Sequence, residues 1–104
     1  MIFRRSRFGE LVDRQLDLFE ADTPLLGEAA EADAAWSHAS ADESEERYGE
    51  YQLVVDAIGE ALYEIRETYA ATLDPDTADR YRSDFDRAAG KRFGRLAAFL
   101  EEGE

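Results

Sequence analysis

The middle of this chain carries apolar and aromatic positions in a strict heptad, separated by alternating steps of three and four residues. A strand would place every second residue on one face, whereas this spacing places all of them on one side of an α-helix. The pattern predicts one long helix packed against other helices, and its short period predicts left-handed supercoiling. The seam consists of Tyr48, Tyr51, Val55, Ile58, Leu62, Ile65, Tyr69 and Thr72.

Three shorter amphipathic helices are predicted around this one. The first begins at Ser6, a suitable N-cap, and the second begins at Pro24 after the potential cap Thr23. The fourth begins at Asp74-Pro75, where a capping side chain is again followed by proline. Its apolar face consists of Ala78, Tyr81, Phe85, Ala89, Phe93, Leu96 and Leu100.

The second and third helices do not share one register, because continuing the apolar pattern of the second would bring glutamates onto the buried seam. A turn near residues 38–42 is therefore predicted, with two potential capping pairs, Ser40 with Glu43 and Asp42 with Glu45. One continuous helix through both segments is the alternative, because the connecting stretch contains neither glycine nor proline.

These elements predict a single all-α domain over residues 1–104, an antiparallel bundle of three to four helices with one long heptad-patterned helix. Residues 1–6 are a short basic segment, and the acidic tail at residues 101–104 is expected to fray. The absence of cysteine excludes disulfides and thiolate sites. No apolar run is long enough to span a bilayer and no secretory signal is recognisable, so we expect a cytoplasmic protein without a membrane span.

The net charge of −13 lies almost entirely in the middle of the chain, because residues 20–73 contain fourteen acidic residues and two arginines. Such a field repels nucleic acid and attracts cations and basic proteins. We therefore expect no nucleic-acid binding, and a basic protein is the partner that the charge favours. A solvated acidic surface is the plain interpretation. An acidic nucleic-acid mimic that inhibits a nucleic-acid-binding protein is the extreme one.

The fourth helix carries a basic stripe opposite its apolar face, made of Arg80, Arg87, Lys91 and Arg95. An exposed face with local pairing to acids such as Asp84 is the plain interpretation of this stripe. Docking of the stripe on the acidic face of another helix or subunit is the alternative.

The acidic third helix raises the question of a metal site. Glu45-Glu46 is followed by Glu50 on this helix. The stretch is similar to the Glu-Glu-x-x-Glu motif of the MazG-type nucleotide pyrophosphatases, all-α enzymes that bind magnesium through this motif and a later Glu-x-x-Asp. The last acid of the first motif is one position late here, and the second motif does not follow on the same helix. A magnesium-dependent nucleotide hydrolase is therefore the alternative function, with Glu46 and Glu50 as candidate ligands. The heptad turns both away from the bundle interior, as it does Asp56, Glu60, Glu64 and Glu67, so we predict no metal, cofactor or catalytic residue.

The aromatic residues on and near the seam are suited to a subunit interface, because tyrosine and tryptophan bury large areas while their polar tips tolerate water. The two helices before the long one are each about half its length, and bare seam would need another chain. We therefore predict a non-catalytic protein that acts through protein–protein interaction and forms a two-fold homodimer. The predicted interface is Trp36, Tyr48, Tyr51, Val55, Ile58, Leu62, Ile65 and Tyr69.

Overall fold

The computed structural model describes residues 7–98, so the predicted cap Ser6, the segment 1–6, Leu100 and the tail 101–104 lie outside the described residues. Within residues 7–98 the chain forms α-helices and a final 3₁₀ turn, with no β-strand. The predicted all-α bundle is thereby confirmed. The helices are α1 (Gly9–Asp22), α2 (Leu25–Ser37), α3 (Ser44–Ala70) and α4 (Pro75–Phe93), and the 3₁₀ turn is Gly94–Ala97.

The start of α4 follows the predicted capping chemistry. One carboxylate oxygen of Asp74 accepts a hydrogen bond from the backbone N–H of Thr77 at 3.2 Å, and the other accepts from the Thr77 hydroxyl at 2.6 Å. These hydrogen bonds lower the pKa of Asp74, because they favour its charged form. Pro75 occupies the first turn, where its missing N–H costs nothing.

The end of α4 comes earlier than its apolar pattern predicts. Gly94 has a φ of 58°, in the left-handed region that glycine enters without steric penalty, and it closes the helix after Phe93. The chain then continues as the 3₁₀ turn, in which Ala97 is buried and Leu96 packs against the core. The predicted single helical face therefore becomes a helix followed by a redirected turn.

The predicted break between the second and third helices is confirmed, and the continuous-helix alternative is wrong. A hydrogen bond between Nδ1 of His38 and the carbonyl oxygen of Ala34, 2.8 Å long, closes the end of α2. The backbone N–H of Glu43 donates to the carbonyl of Ser40 at 3.1 Å, and no side chain caps α3. Both predicted capping pairs are therefore wrong, and at Glu43 the backbone carbonyl of Ser40 accepts the hydrogen bond that the Ser40 side chain would have accepted.

The long helix α3 is the element on which the others assemble. α2 packs along its first half, and α4 returns antiparallel to it, with the rings of Tyr69 and Tyr81 4.8 Å apart. α1 runs parallel to α4, because Phe8 contacts Tyr81 at one end and Phe19 contacts Phe93 at the other. The largest fully buried side chains are Tyr81, Phe85, Leu16, Ile58, Leu62 and Val12.

The burial pattern of α3 follows the heptad at its centre and leaves it toward both ends. Ile58 and Leu62 are fully buried, whereas Tyr48 is 44% exposed and Thr72 is exposed. Toward the C-terminal end the buried positions shift to Arg66 and Ala70. An α-helix drifts by roughly 20° per heptad relative to a strict seven-residue repeat, so the buried stripe moves off the predicted seam.

Candidate functional site

An ion network centred on one buried arginine joins the second half of α3 to α4. Arg66 is 3% exposed and donates from Nη1 to Asp86 at 2.8 Å and from Nε to Glu67 at 2.8 Å. Arg82 of α4 donates to the same glutamate at 3.0 Å. The hydrogen bonds from Arg82 and then Arg66 hold the pKa of Glu67 below its ordinary value, although burial acts in the opposite direction.

This network was not predicted, because the heptad suggested that Glu67 faces solvent and gave Arg66 no role. Glu67 is instead half-buried between two arginines. The remaining acids that the heptad turned outward, Asp56, Glu60 and Glu64, are exposed as expected.

A second set of ion pairs holds α1 against α4. Nη1 of Arg92 lies 2.7 Å from Asp17 and 3.1 Å from Glu20, and Nη2 lies 3.8 Å from Asp13. These three acids recur at helical spacing on one face of α1, which is the signal that could have indicated a basic partner there. The hydroxyl of Tyr81 also donates to the side chain of Gln15 at 2.9 Å. Polar contacts between α1 and α4 therefore occur both near the start of α4, at Tyr81, and near its end, at Arg92.

The predicted basic stripe of α4 contributes less to these contacts than its neighbours do. Arg87 pairs with Asp84 on its own helix at 3.2 Å, as the plain interpretation expected. Arg95, now in the 3₁₀ turn, reaches Asp33 of α2 at 3.5 Å. Arg82 and Arg92, which lie outside the predicted stripe, make shorter contacts to other helices. Docking between helices therefore occurs through Arg95 of the predicted stripe and through two arginines that were not predicted.

Because α1 is held toward α4, an open furrow lies between α1 and the second half of α3. It consists of two adjoining depressions of about 430 and 630 Å³, which share Gln15, Ala61 and Ile65. Leu18 lies on the α1 side of the furrow and is 58% exposed. Phe19, which is buried, is also part of this side of the lining. The α1 side is thus largely apolar, with an exposed leucine.

The α3 side of the furrow carries the C-terminal part of the heptad seam. Ile65 and Tyr69 line it together with Thr72, the last position of the seam. The small side chain of Ala61 adds to the space that is open at the junction of the two depressions. Part of the predicted seam is therefore left without a covering helix among residues 7–98.

The charged residues that line the furrow are acidic. Asp22 lies at the end of α1 and Glu64 lies on α3, and no lysine or arginine within residues 7–98 lines the two depressions. Neither acid forms an ion pair within this part of the chain, whereas Asp17 and Glu67 are both paired with arginine. The furrow therefore combines an apolar lining with negative charge that the fold does not neutralise.

The predicted interface residues are divided among three environments. Ile58 and Leu62 are fully buried in the chain's own core, so they have no surface to offer to another chain. Ile65 and Tyr69 line the furrow. The remaining members gather at the opposite end of α3, and they are Trp36, Tyr48, Tyr51 and Val55.

The aromatic cluster at that opposite end packs α2 onto α3. The Trp36 ring lies 4.7 Å from the Tyr48 ring and 5.7 Å from the Tyr51 ring, measured between centroids. The guanidinium of Arg95 lies 5.6 Å from the centroid of Tyr51. The rings pack against one another and join α2 to α3, and a depression of about 330 Å³ lies beside them, lined also by Val55 and Arg95.

The candidate metal ligands are not brought together with other acids. Glu46 is exposed, and Glu50 pairs with Arg47 on the same helix at 3.0 Å. Within residues 7–98, no group of three or more histidine, cysteine, aspartate or glutamate side chains is arranged to hold a metal ion. The imidazole of His38 bonds to the end of its own helix, at Ala34.

The chain matches no protein-family model, no curated protein and no solved structure. Among the described residues, no helix combines the length and apolar character needed to cross a membrane.

Proposed function

We propose that this chain is a non-catalytic protein that acts through protein–protein contacts, and that the furrow receives an α-helix from another polypeptide. The observation that carries the proposal is the position of Leu18, an exposed leucine beside the apolar Ile65 in an open depression. Scattered exposed leucines need no explanation, but one that continues an apolar furrow marks a contact surface. The absence of cysteine from the chain is compatible with the cytoplasmic location that we also propose.

The dimensions of the furrow suit a helix. Its lining runs along α3 from Ala61 to Tyr69 and continues to Thr72 in the turn after the helix, which corresponds to roughly 16 Å or three helical turns. A helix seated in such a groove presents anchors on one face, at spacings of three, four and seven residues. Two depressions side by side suit two such anchors.

A second copy of this chain is one polypeptide that could supply the helix. Ile65 and Tyr69 belong both to the furrow and to the seam from which we predicted a homodimer. Light scattering tests this directly, because a dimer has twice the monomer mass of 11.8 kDa. A mass that stays at the monomer value at high micromolar concentration would exclude self-association and leave binding of another protein.

Selection from a displayed library of amphipathic helices tests the furrow even though the partner is not identified. We expect helices that bind the wild-type chain to bind Leu18→Ser at least about tenfold more weakly, because a central apolar contact is lost. Leu53→Ser is the matched control, because Leu53 is 71% exposed on α3 and does not line the furrow. Equal effects of the two substitutions, or no effect of either, would refute the furrow as the binding surface.

A further inference from the structure

We infer that the partner helix is a basic amphipathic helix from a different protein, an inference that rests on the proposed function of the furrow. The reason is the charge inside the furrow, where Asp22 and Glu64 stand beside the apolar lining. A helix that buries its apolar face there brings its flanking side chains close to these carboxylates. Lysine or arginine at the flanks would meet opposite charge, and acidic flanks would be repelled.

The distribution of arginines strengthens this inference. Asp17 and Glu20 of α1 are paired with Arg92, and Glu67 of α3 is paired with Arg66 and Arg82. The fold thus neutralises acids that face α4 and leaves those in the furrow without an arginine. The two acids in the furrow also lie within the segment of residues 20–73, whose excess of acids over arginines makes the surrounding field negative.

The same charges argue against a second copy as the occupant. Two chains of net charge −13 repel each other, and a helix of this chain seated in the furrow brings mostly acids with it. α1 contains a single arginine, Arg14, among five acidic residues, and α2 contains no basic residue. α4 is the most basic helix, and its apolar face, which includes Tyr81 and Phe85, is buried in the chain's own core. α3 carries seven acidic residues and two arginines, so no described helix of a second copy offers an apolar face with basic flanks.

The shape of the furrow adds one requirement for the partner. The depressions meet at Ala61, beside Leu18 and Ile65, so a partner helix places large apolar side chains on either side of that point. Thr68 offers a hydroxyl group at the far end, and the Thr72 hydroxyl, which donates to the Tyr69 carbonyl at 2.7 Å, can still accept a hydrogen bond from a polar side chain of the partner. The partner is therefore a helix of about three turns with leucine-sized anchors on one face and basic residues on both flanks.

Two synthetic helical peptides test this chemistry. Both have roughly 18 residues and the same leucine stripe, and they differ only in carrying lysine or glutamate at the flanking positions. Fluorescence anisotropy with the full-length chain measures their affinities at low and physiological salt. We expect the lysine peptide to bind, the glutamate peptide to bind at least about tenfold more weakly, and the difference to shrink as salt is raised.

Charge reversal in the furrow separates specific docking from general attraction to an acidic protein. The double variant Asp22→Lys/Glu64→Lys should weaken binding of the lysine peptide roughly 5- to 30-fold. The matched control is Asp42→Lys/Glu31→Lys, which changes net charge equally at two exposed positions that do not line the furrow. The control should weaken binding by less than about twofold at physiological salt.

The outcomes distinguish this inference from the proposed function. Equal binding of the two peptides, both lost in Leu18→Ser, would overturn the basic partner and leave the furrow as a helix-binding surface. Equal weakening by the furrow variant and its control would reduce the binding to non-specific charge attraction and overturn the inference. A dimer in light scattering that reverts to the monomer mass in Leu18→Ser would assign the furrow to a second copy.

Discussion

The two halves of α3 carry the same heptad but have different neighbours. Along the first half, α2 packs closely, and the cluster of Trp36 with Tyr48 and Tyr51 closes the hairpin. Along the second half, α1 is displaced toward α4 and the furrow remains open. The difference shows that a heptad identifies the face of a helix that other helices can cover. Whether that face is buried depends on how the neighbouring helix packs.

The cause of this difference lies in the side chains of the two covering helices. α2 presents small residues to α3, with Ala29 buried, so its backbone can approach closely. α1 places larger residues, Val12, Leu16 and Phe19, into the core. It packs on α4 through the Phe8–Tyr81 and Phe19–Phe93 ring contacts, and Arg92 adds an exposed ion pair with Asp17. α2 can therefore approach α3 closely, whereas the position of α1 is set by its contacts with α4.

A substitution at the centre of α3, where its two halves meet, should reduce the stability of the fold the most. Ile58→Glu places a charge at a fully buried site, and we expect loss of the cooperative unfolding transition, because burying an unpaired carboxylate costs several kcal/mol. Circular dichroism during thermal unfolding measures the transition. Leu53→Glu, at an exposed position on the same helix, should leave it within about 0.5 kcal/mol of the wild type. A folded Ile58→Glu protein with wild-type stability would show that the core is not centred on this seam.

The second half depends on ion pairs, and removing Arg66 tests this dependence. Arg66→Ala should lower the free energy of unfolding by about 2–4 kcal/mol, because it deprives Asp86 and Glu67 of a charge partner in a largely buried setting. Urea unfolding gives the value. Arg47→Ala removes an exposed pair with Glu50 in the first half and should cost about 0.5 kcal/mol or less. Similar losses for the two variants would contradict the assignment of ion pairing to the second half.

Acid should lower the free energy of unfolding through Glu67 in the second half of α3, and this is the smallest of the expected effects. Its pKa is lower in the folded chain than in the unfolded chain, so its contribution is present above the unfolded pKa of roughly 4.3 and is lost as pH falls through the folded value. Glu67→Gln should therefore be less stable than the wild type near pH 6, and the gap should narrow below about pH 4. Urea midpoints at several pH values measure it. A gap that is independent of pH would mean that packing, and not charge, accounts for the loss.

The success of the sequence-based predictions differed by element. The beginning of α4 was predictable, because Asp74 and Pro75 act within one helical turn. The break before α3 was predictable from the change of register, although its capping chemistry was not. For the furrow, the sequence indicated only that the heptad seam is longer than either preceding helix can cover. No local pattern indicates that α1 packs toward α4. Arg66 was missed because an arginine on a helix flank is ordinarily solvated, and its burial depends on Asp86 of another helix.

The amino-acid sequence by itself determined that the chain is helical, where α4 begins and which face of α3 is buried at its centre. These properties depend on periodicity and on contacts between residues a few positions apart. Only the tertiary structure decided which part of the seam stays open and which acids remain without an arginine. Those outcomes depend on contacts such as that between Arg92 and Asp17, which lie 75 residues apart along the chain. Such contacts leave no local pattern, because their energy appears only when the helices are assembled.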